Sequence, residues 1–215
     1  STIKTQDKKK IGRYWLLVVD EATSMKWSFF LKNKNQQVDL LLGFIKDLRE
    51  NNKKVKFIRC DGAGENVSLK KKIDDEGMNI TSEFTSRETP QQNGKVERAF
   101  ATLYGRMRAM MLSAGFDIET KHRLWTEVAS TATKLDNIMC QKGNKSPYFL
   151  FYRKNPEYEK YLRTFGELGI VTTNPGGAIR SKLEDRGIKC MFLGYAANHA
   201  GNVYRMLNLE TNKVL

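Results

Sequence analysis

Cysteine and histidine are scarce in this chain, with three Cys and two His among 215 residues. Cys60, Cys140 and Cys190 are isolated thiols in odd number, which argues against a disulfide framework and for a reducing compartment. His122 and His199 lie far apart and near no Cys in sequence, so no zinc-ligand spacing is present. No apolar run reaches the ~18 residues of a membrane span and no signal-peptide pattern is visible, which predicts a chain neither secreted nor membrane-spanning. Acidic residues are also in deficit: 24 Asp and Glu face 37 Lys and Arg, a net charge of +13. Such an excess favours a polyanionic partner. Without a long amphipathic basic helix, nucleic acid is preferred to a membrane, although the same charge could be plain solvated surface.

What the chain does carry is a succession of short apolar patterns. Residues 13–20 contain Tyr14-Trp15-Leu16-Leu17-Val18-Val19, a continuous run of the kind found in a strand buried on both faces. A polar turn and a second strand over 26–31 predict an antiparallel hairpin. Val38, Leu41, Leu42, Ile45 and Leu48 recur at helical spacing within 35–51, the stripe of an amphipathic helix. Residues 55–60 and 79–84 read as strands, with a short helix at Leu69 and Ile73 between them. Residues 85–93 are polar and hold Pro90, so they read as a loop. Val96, Phe100, Leu103, Met107 and Met110 then mark a long helix from Gly94 to near Gly115. Trp125, Val128, Ala132 and Leu135 mark another over 121–139. Strands feeding helices predict an α/β fold with a mixed sheet flanked by helices. Short strands over 167–173, 189–195 and 203–208 predict a small β-barrel after it.

Two carboxylates stand out. Asp61 closes the strand pattern in Phe57-Ile58-Arg59-Cys60-Asp61-Gly62-Ala63-Gly64-Glu65-Asn66, and Glu97 opens the long helix in Thr89-Pro90-Gln91-Gln92-Asn93-Gly94-Lys95-Val96-Glu97-Arg98. A carboxylate at a strand end and another on a helix's first turn can converge on a divalent cation. Magnesium takes oxygen ligands, commonly one or two carboxylates plus substrate phosphates, and two such ions clamp the attacking and leaving oxygens of phosphoryl transfer. These segments resemble the integrases of copia-type LTR retrotransposons. The family pattern at the second carboxylate reads roughly Arg-Ser-Asp-Asn-Gly-Gly-Glu-Phe, against residues 59–66 here. The pattern at the third, Thr-Pro-Gln-Gln-Asn-Gly-x-x-Glu-Arg, is matched over 89–98. Further on, Ser146-Pro147-Tyr148-Phe149-Leu150, Leu162-Arg163-Thr164-Phe165-Gly166 and the segment from Lys182 to Tyr195 look like the family's later elements, so the resemblance covers nearly the whole chain.

The resemblance implies a ribonuclease H-like core over 1–155 and an SH3-like β-barrel over 160–215. It implies Asp61 and Glu97 as catalytic residues and ligands of two Mg²⁺ or Mn²⁺ ions. One ion would activate the nucleophile and the other would stabilise the leaving oxygen. A third carboxylate, bridging both, is expected on a strand before Ser1, and the family's His-His-Cys-Cys zinc module is absent from these residues. Asp20 matches a later family element on the second strand, and Asp7 sits among lysines in the manner of a hairpin loop, so neither is taken as that ligand. Double-stranded DNA (element ends and target) and further copies of the chain are the implied partners. The nucleus, after cytoplasmic particle assembly, is the implied location.

Each assignment has a plainer alternative. Asp61 alone reads as a turn residue before Gly, and Glu97 alone as a solvated side chain that complements the helix dipole. Gln92, Asn93, Lys95, Arg98, Tyr104 and Arg108 are the DNA-binding candidates. Asn93 is equally a helix N-cap, and Tyr104 equally a core residue. Lys95 and Arg98 flank Glu97 and suit phosphates. Glu65 reads as a cap or a solvated residue, the clusters Lys8-Lys9-Lys10 and Lys70-Lys71-Lys72 as solvated surface or DNA contacts, and Cys60 and Cys190 as small core residues. The function implied is DNA 3′-end processing and strand transfer by a metal-dependent polynucleotidyl transferase. The rival is a catalytically inactive nucleic-acid-binding remnant of a retrotransposon polyprotein. A ribonuclease H proper is disfavoured by the Pro-Gln-Gln-Asn-Gly context and the trailing barrel.

Overall fold

The computed structural model describes residues 12–85, 94–140, 145–172, 187–197 and 199–215. Strands β1 (Tyr14–Val19) and β2 (Lys26–Leu31) are hydrogen-bonded neighbours. So short a connection permits only antiparallel pairing. Helix α1 (Gln36–Glu50) follows, then β3 (Phe57–Asp61), α2 (Gly64–Asp75) and β4 (Thr81–Thr85). Helices α3 (Gly94–Ser113), α4 (Ile118–Ile138) and α5 (Pro147–Tyr152) come next, with a 3₁₀ helix at Glu157–Tyr161. Strands β5 (Leu168–Thr172), β6 (Gly187–Tyr195) and β7 (Tyr204–Asn208) close the chain. The mixed α/β class expected from the sequence is what forms. The chain divides into two compact units, one of Ser1–Glu21 with Trp27–Thr102 and one of Ala22–Lys26 with Leu103–Leu215. No helix among the described residues is long and apolar enough to cross a membrane.

In the first unit, α1 buries Val38, Leu42 and Ile45 against Leu69 and Ile73 of α2, with Met78 and Ile80 completing the cluster. The spacing of 38, 42 and 45 keeps these residues on one helical stripe. Ile58 of β3 packs on the same cluster. Strands β3 and β4 pair in parallel, from Phe57 opposite Thr81 to Asp61 opposite Thr85, and α2 supplies the crossover that parallel pairing needs. One expectation fails at β1. Only Trp15 and Leu17 are buried there, and their neighbours are half-buried, so the apolar run serves a strand with one fully covered face.

In the second unit, α4 buries Leu124, Trp125, Val128, Ala129 and Ala132 along one side. Asp117 caps its start by accepting the Thr120 N–H at 2.7 Å. Asp136 on α4 is buried and ion-paired twice, with Lys26 at 2.6 Å and Arg106 at 2.7 Å. Asn137 beside it accepts the Lys26 N–H and donates to the Lys26 carbonyl, at 2.9 and 2.8 Å. Removing one partner of a buried pair strands a charge, at a cost of about 3–5 kcal/mol, so this polar cluster is stable only when complete. The helix α5, not anticipated from the sequence, begins at Ser146, whose hydroxyl accepts the Phe149 N–H at 3.2 Å, with Pro147 at the first turn.

Strands β5, β6 and β7 form an antiparallel sheet in that order. Cys190, Phe192, Leu193 and Tyr195 of β6 are buried, which places Cys190 in the core as expected. The register of β6 on β7 shifts between Phe192 and Gly194. There the Thr131 hydroxyl of α4 donates to the Leu193 carbonyl at 2.6 Å. Gly194 has a φ of +152°, and a Cβ on it would lie 2.1 Å from the Thr131 Oγ. No side chain fits that approach. Gly194→Ala is expected to lower stability by at least about 1–3 kcal/mol, the usual range for overpacking, read as a fall in the urea unfolding midpoint.

Candidate metal and nucleic-acid site

Side chains alternate across a strand, and β3 uses both of its faces. Ile58 points into the α1–α2 core, whereas Phe57, Arg59 and Asp61 lie on the other face and are exposed. Asp61 is the last residue of β3. Its Oδ1 accepts the Ala63 N–H at 3.2 Å and the Asn66 side-chain amide at 2.7 Å. The same Asn66 nitrogen donates to the Asp61 carbonyl at 3.2 Å, and the Asn66 oxygen accepts from Gln37 Nε2 at 2.8 Å. Two residues before Asp61, Arg59 bonds to Glu83 of β4 at 3.0 Å and to Glu21 at 3.4 Å, and these two carboxylates hold its guanidinium pKa up.

Glu97 lies exposed on the first turn of α3. Lys95 on that turn donates its ammonium to the Glu21 carbonyl. Glu21 therefore touches both the start of α3 and, through Arg59, the strand that ends in Asp61. Arg98 is exposed beside Glu97. Tyr104 is half-buried and Arg108 exposed on the later turns of α3, within the second unit. Gln92 and Asn93 lie outside the described residues. Glu65 falls in the first turn of α2 and faces Lys34 at 3.7 Å, consistent with a solvated residue near a helix start.

Among the described residues no three His, Cys, Asp or Glu side chains are gathered as a metal-holding group. The donor set of Asp61 and Glu97 suits a hard divalent cation, since both are exposed carboxylates offering oxygen alone. Among the described residues, Oδ1 of Asp61 takes two hydrogen bonds and Oδ2 takes none. The soft donor nearby is Cys60, but it belongs to the opposite face of β3, and burial pushes its thiol up to about 11, with the Asp61 charge adding to the effect.

Residues 172–215 match the retroviral polymerase SH3-like domain family. Over 95% of its length the chain is 28% identical to the Retrovirus-related Pol polyprotein from transposon TNT 1-94 of Nicotiana tabacum. Over 94% it is 30% identical to the polyprotein from transposon RE2 of Arabidopsis thaliana. It is a relative of the copia-type Pol polyproteins. The chain spans 15% and 13% of the length of those two relatives. Among solved structures it is similar to the simian T-cell lymphotropic virus intasome in complex with PP2A regulatory subunit B56 gamma. There the TM-score is 0.53 at 15% identity, covering 95% of this chain and 69% of that one, a likeness of fold.

In this Pol relative the structure adds Gln37, Arg59 and Asn66 to the surroundings of Asp61. Sequence reading missed their roles because their partners are 24 to 38 residues away or belong to other elements. The three thiols also separate by environment. Cys140 is exposed, Cys60 is half-buried and Cys190 is buried, with desolvation raising the last two. Thiolate is the reactive form, so iodoacetamide at neutral pH is expected to label Cys140 well before Cys60 or Cys190, as resolved by peptide mass mapping.

Proposed function

We propose that this chain is part of a retrotransposon integrase, a metal-dependent polynucleotidyl transferase that trims DNA ends and joins their 3′ hydroxyls to target DNA. The observation that carries the reading is the presentation of Asp61. It ends β3 on the exposed face, with one carboxylate oxygen held by two donors. Glu97 supports it from the first turn of α3, whose Lys95 reaches the Glu21 carbonyl. The relationship to retrotransposon Pol polyproteins supports it further. Asp61 and Glu97 would hold Mg²⁺ or Mn²⁺, which when bound supplies charge neutralisation at the attacking and leaving oxygens.

The chain's own residues have separate tasks in this reading. Lys95 and Arg98 bracket Glu97 and would bind DNA phosphates, which position the duplex without reading its sequence. Gln92, Asn93, Tyr104 and Arg108 are the further proposed DNA contacts. Double-stranded DNA is the proposed partner, in the nucleus, with several copies of the chain holding two DNA ends.

Two expected outcomes test the proposal. Binding of the 215-residue chain to duplex DNA should fall steeply with salt, because each phosphate contact releases counterions. Lys95→Ala and Arg98→Ala should each weaken binding for any sequence and lower the salt slope by about one. Salt-independent affinity would count against the phosphate reading. End joining with Mg²⁺ or Mn²⁺ is expected of a longer polyprotein-derived integrase that contains this chain. In that protein Asp61→Asn or Glu97→Gln should abolish joining and spare DNA binding. Joining that survives both substitutions would remove Asp61 and Glu97 from the chemistry and leave the chain as a nucleic-acid-binding element.

A further inference from the structure

An exposed carboxylate at a strand end has no packing to fix its rotation, and its terminal torsion is intrinsically broad. Asp61 is nevertheless tied down. Asn66, in the first turn of α2, directs its side-chain nitrogen at two acceptors of the same residue, Oδ1 at 2.7 Å and the backbone carbonyl at 3.2 Å. A carboxamide offers donors only from its nitrogen and accepts only at its oxygen. Whether Asn66 donates to Asp61 or repels it therefore depends on which way the amide faces. Gln37 of α1 settles the choice by donating to the Asn66 oxygen at 2.8 Å. The three residues form a directed chain of N–H donors that runs from α1 through α2 to the end of β3.

We propose that Asn66 is a positioning residue for Asp61 and that Gln37 sets the direction of its amide, so that Asp61 presents Oδ2 to a divalent cation. The inference rests on the reading of Asp61 as a metal ligand. With Oδ1 engaged by Asn66 and by the Ala63 N–H, single-oxygen coordination through Oδ2 is the arrangement the hydrogen bonds favour. Partners that hydrogen-bond ligating carboxylates commonly account for ten- to a hundredfold in metal affinity. Asn66 occupies the motif position where the resembled family carries Phe, so the relay comes from this chain's own residues. A purely structural account exists, since the same bonds also brace the turn between β3 and α2. The two accounts separate at Gln37.

The test uses the 215-residue chain with Mn²⁺ as the probe, its affinity followed by the loss of the free-ion electron paramagnetic resonance signal. In parallel, paramagnetic broadening of the Asn66 side-chain amide resonances is followed by nuclear magnetic resonance. Wild type should bind Mn²⁺ with selective broadening of the Asn66 signals, and Asp61→Asn should remove both effects. Asn66→Ala should weaken Mn²⁺ binding about tenfold or more. Gln37→Glu should do the same with little change in the unfolding midpoint. A carboxylate at 37 only accepts, so the Asn66 amide would turn toward it and set its oxygen against Asp61. Gln37→Met, which removes the donor without reversing the amide, should have the smaller effect. Equal Mn²⁺ affinity in wild type, Asn66→Ala and Gln37→Glu, with Asp61→Asn still losing the ion, would overturn the positioning role and keep the metal reading. No Mn²⁺ binding in wild type, or none lost in Asp61→Asn, would overturn the metal reading and this inference with it.

Discussion

Parallel pairing of Phe57–Asp61 with Thr81–Thr85 leaves Asp61 no choice of face, because every second side chain of β3 must share one surface. Ile58 goes to the core formed by α1 and α2, so Phe57, Arg59 and Asp61 go outward. A slip of one residue would exchange the two sets, placing a carboxylate among Leu69, Ile73 and Ile80 and an apolar residue where the site is. The cost of burying an unpaired charge is large. The apolar positions of α1 and α2, far from any chemistry, therefore fix where the candidate ligand stands.

A second constraint concerns charges that the second unit does bury. Lys26 and Asp136 each keep 7% of their side-chain exposure, and Arg106 shares the same carboxylate. Buried ion pairs contribute little net stability compared with well-packed apolar residues, since desolvation offsets the attraction. Their value lies in the penalty for any arrangement that leaves one member alone. Asn137 strengthens that selectivity by binding both backbone polar groups of Lys26. Lys26 is thereby held by α4 through directional bonds.

Much of this was legible in the residues. Alternating and helical spacings located the hairpin, α1, α3, α4 and the last three strands to within a few residues, because each repeats an apolar position often enough to reveal its period. The motif around Asp61 also predicted its place at a strand end. Other features had no such signal. The motif beginning at Ser146 gives no sign of a helix by resemblance, although Ser146 and Pro147 form a helix start recognisable by rule. The run in β1 predicts burial on both faces and the strand has it on one, since an apolar run shows what a strand can cover and not what covers it. Lys26 and Asp136 stand 110 positions apart in unremarkable surroundings, and no local pattern pairs them. Asn66 stands where the family pattern has Phe, and only the approach of Gln37 gives its amide a direction.

These observations separate two kinds of control over one carboxylate. Strand register decides the face of Asp61 and acts through apolar burial, a nondirectional force that is indifferent to rotation about the side-chain bonds. Hydrogen bonds decide the rotation, because they are strongly angle-dependent. The division is forced by exposure. Under the proposed reading a carboxylate that ligates an ion must stay open to water, so packing cannot grip its end. Donors at the periphery have to do so, and they must leave one oxygen available. Ala63 and Asn66 meet both requirements by converging on Oδ1. Glu97 faces the same problem on α3, where the Lys95 contact with Glu21 fixes the helix turn and not the carboxylate itself. Among the described residues, Asp61 is therefore the candidate ligand whose orientation hydrogen bonds set in advance.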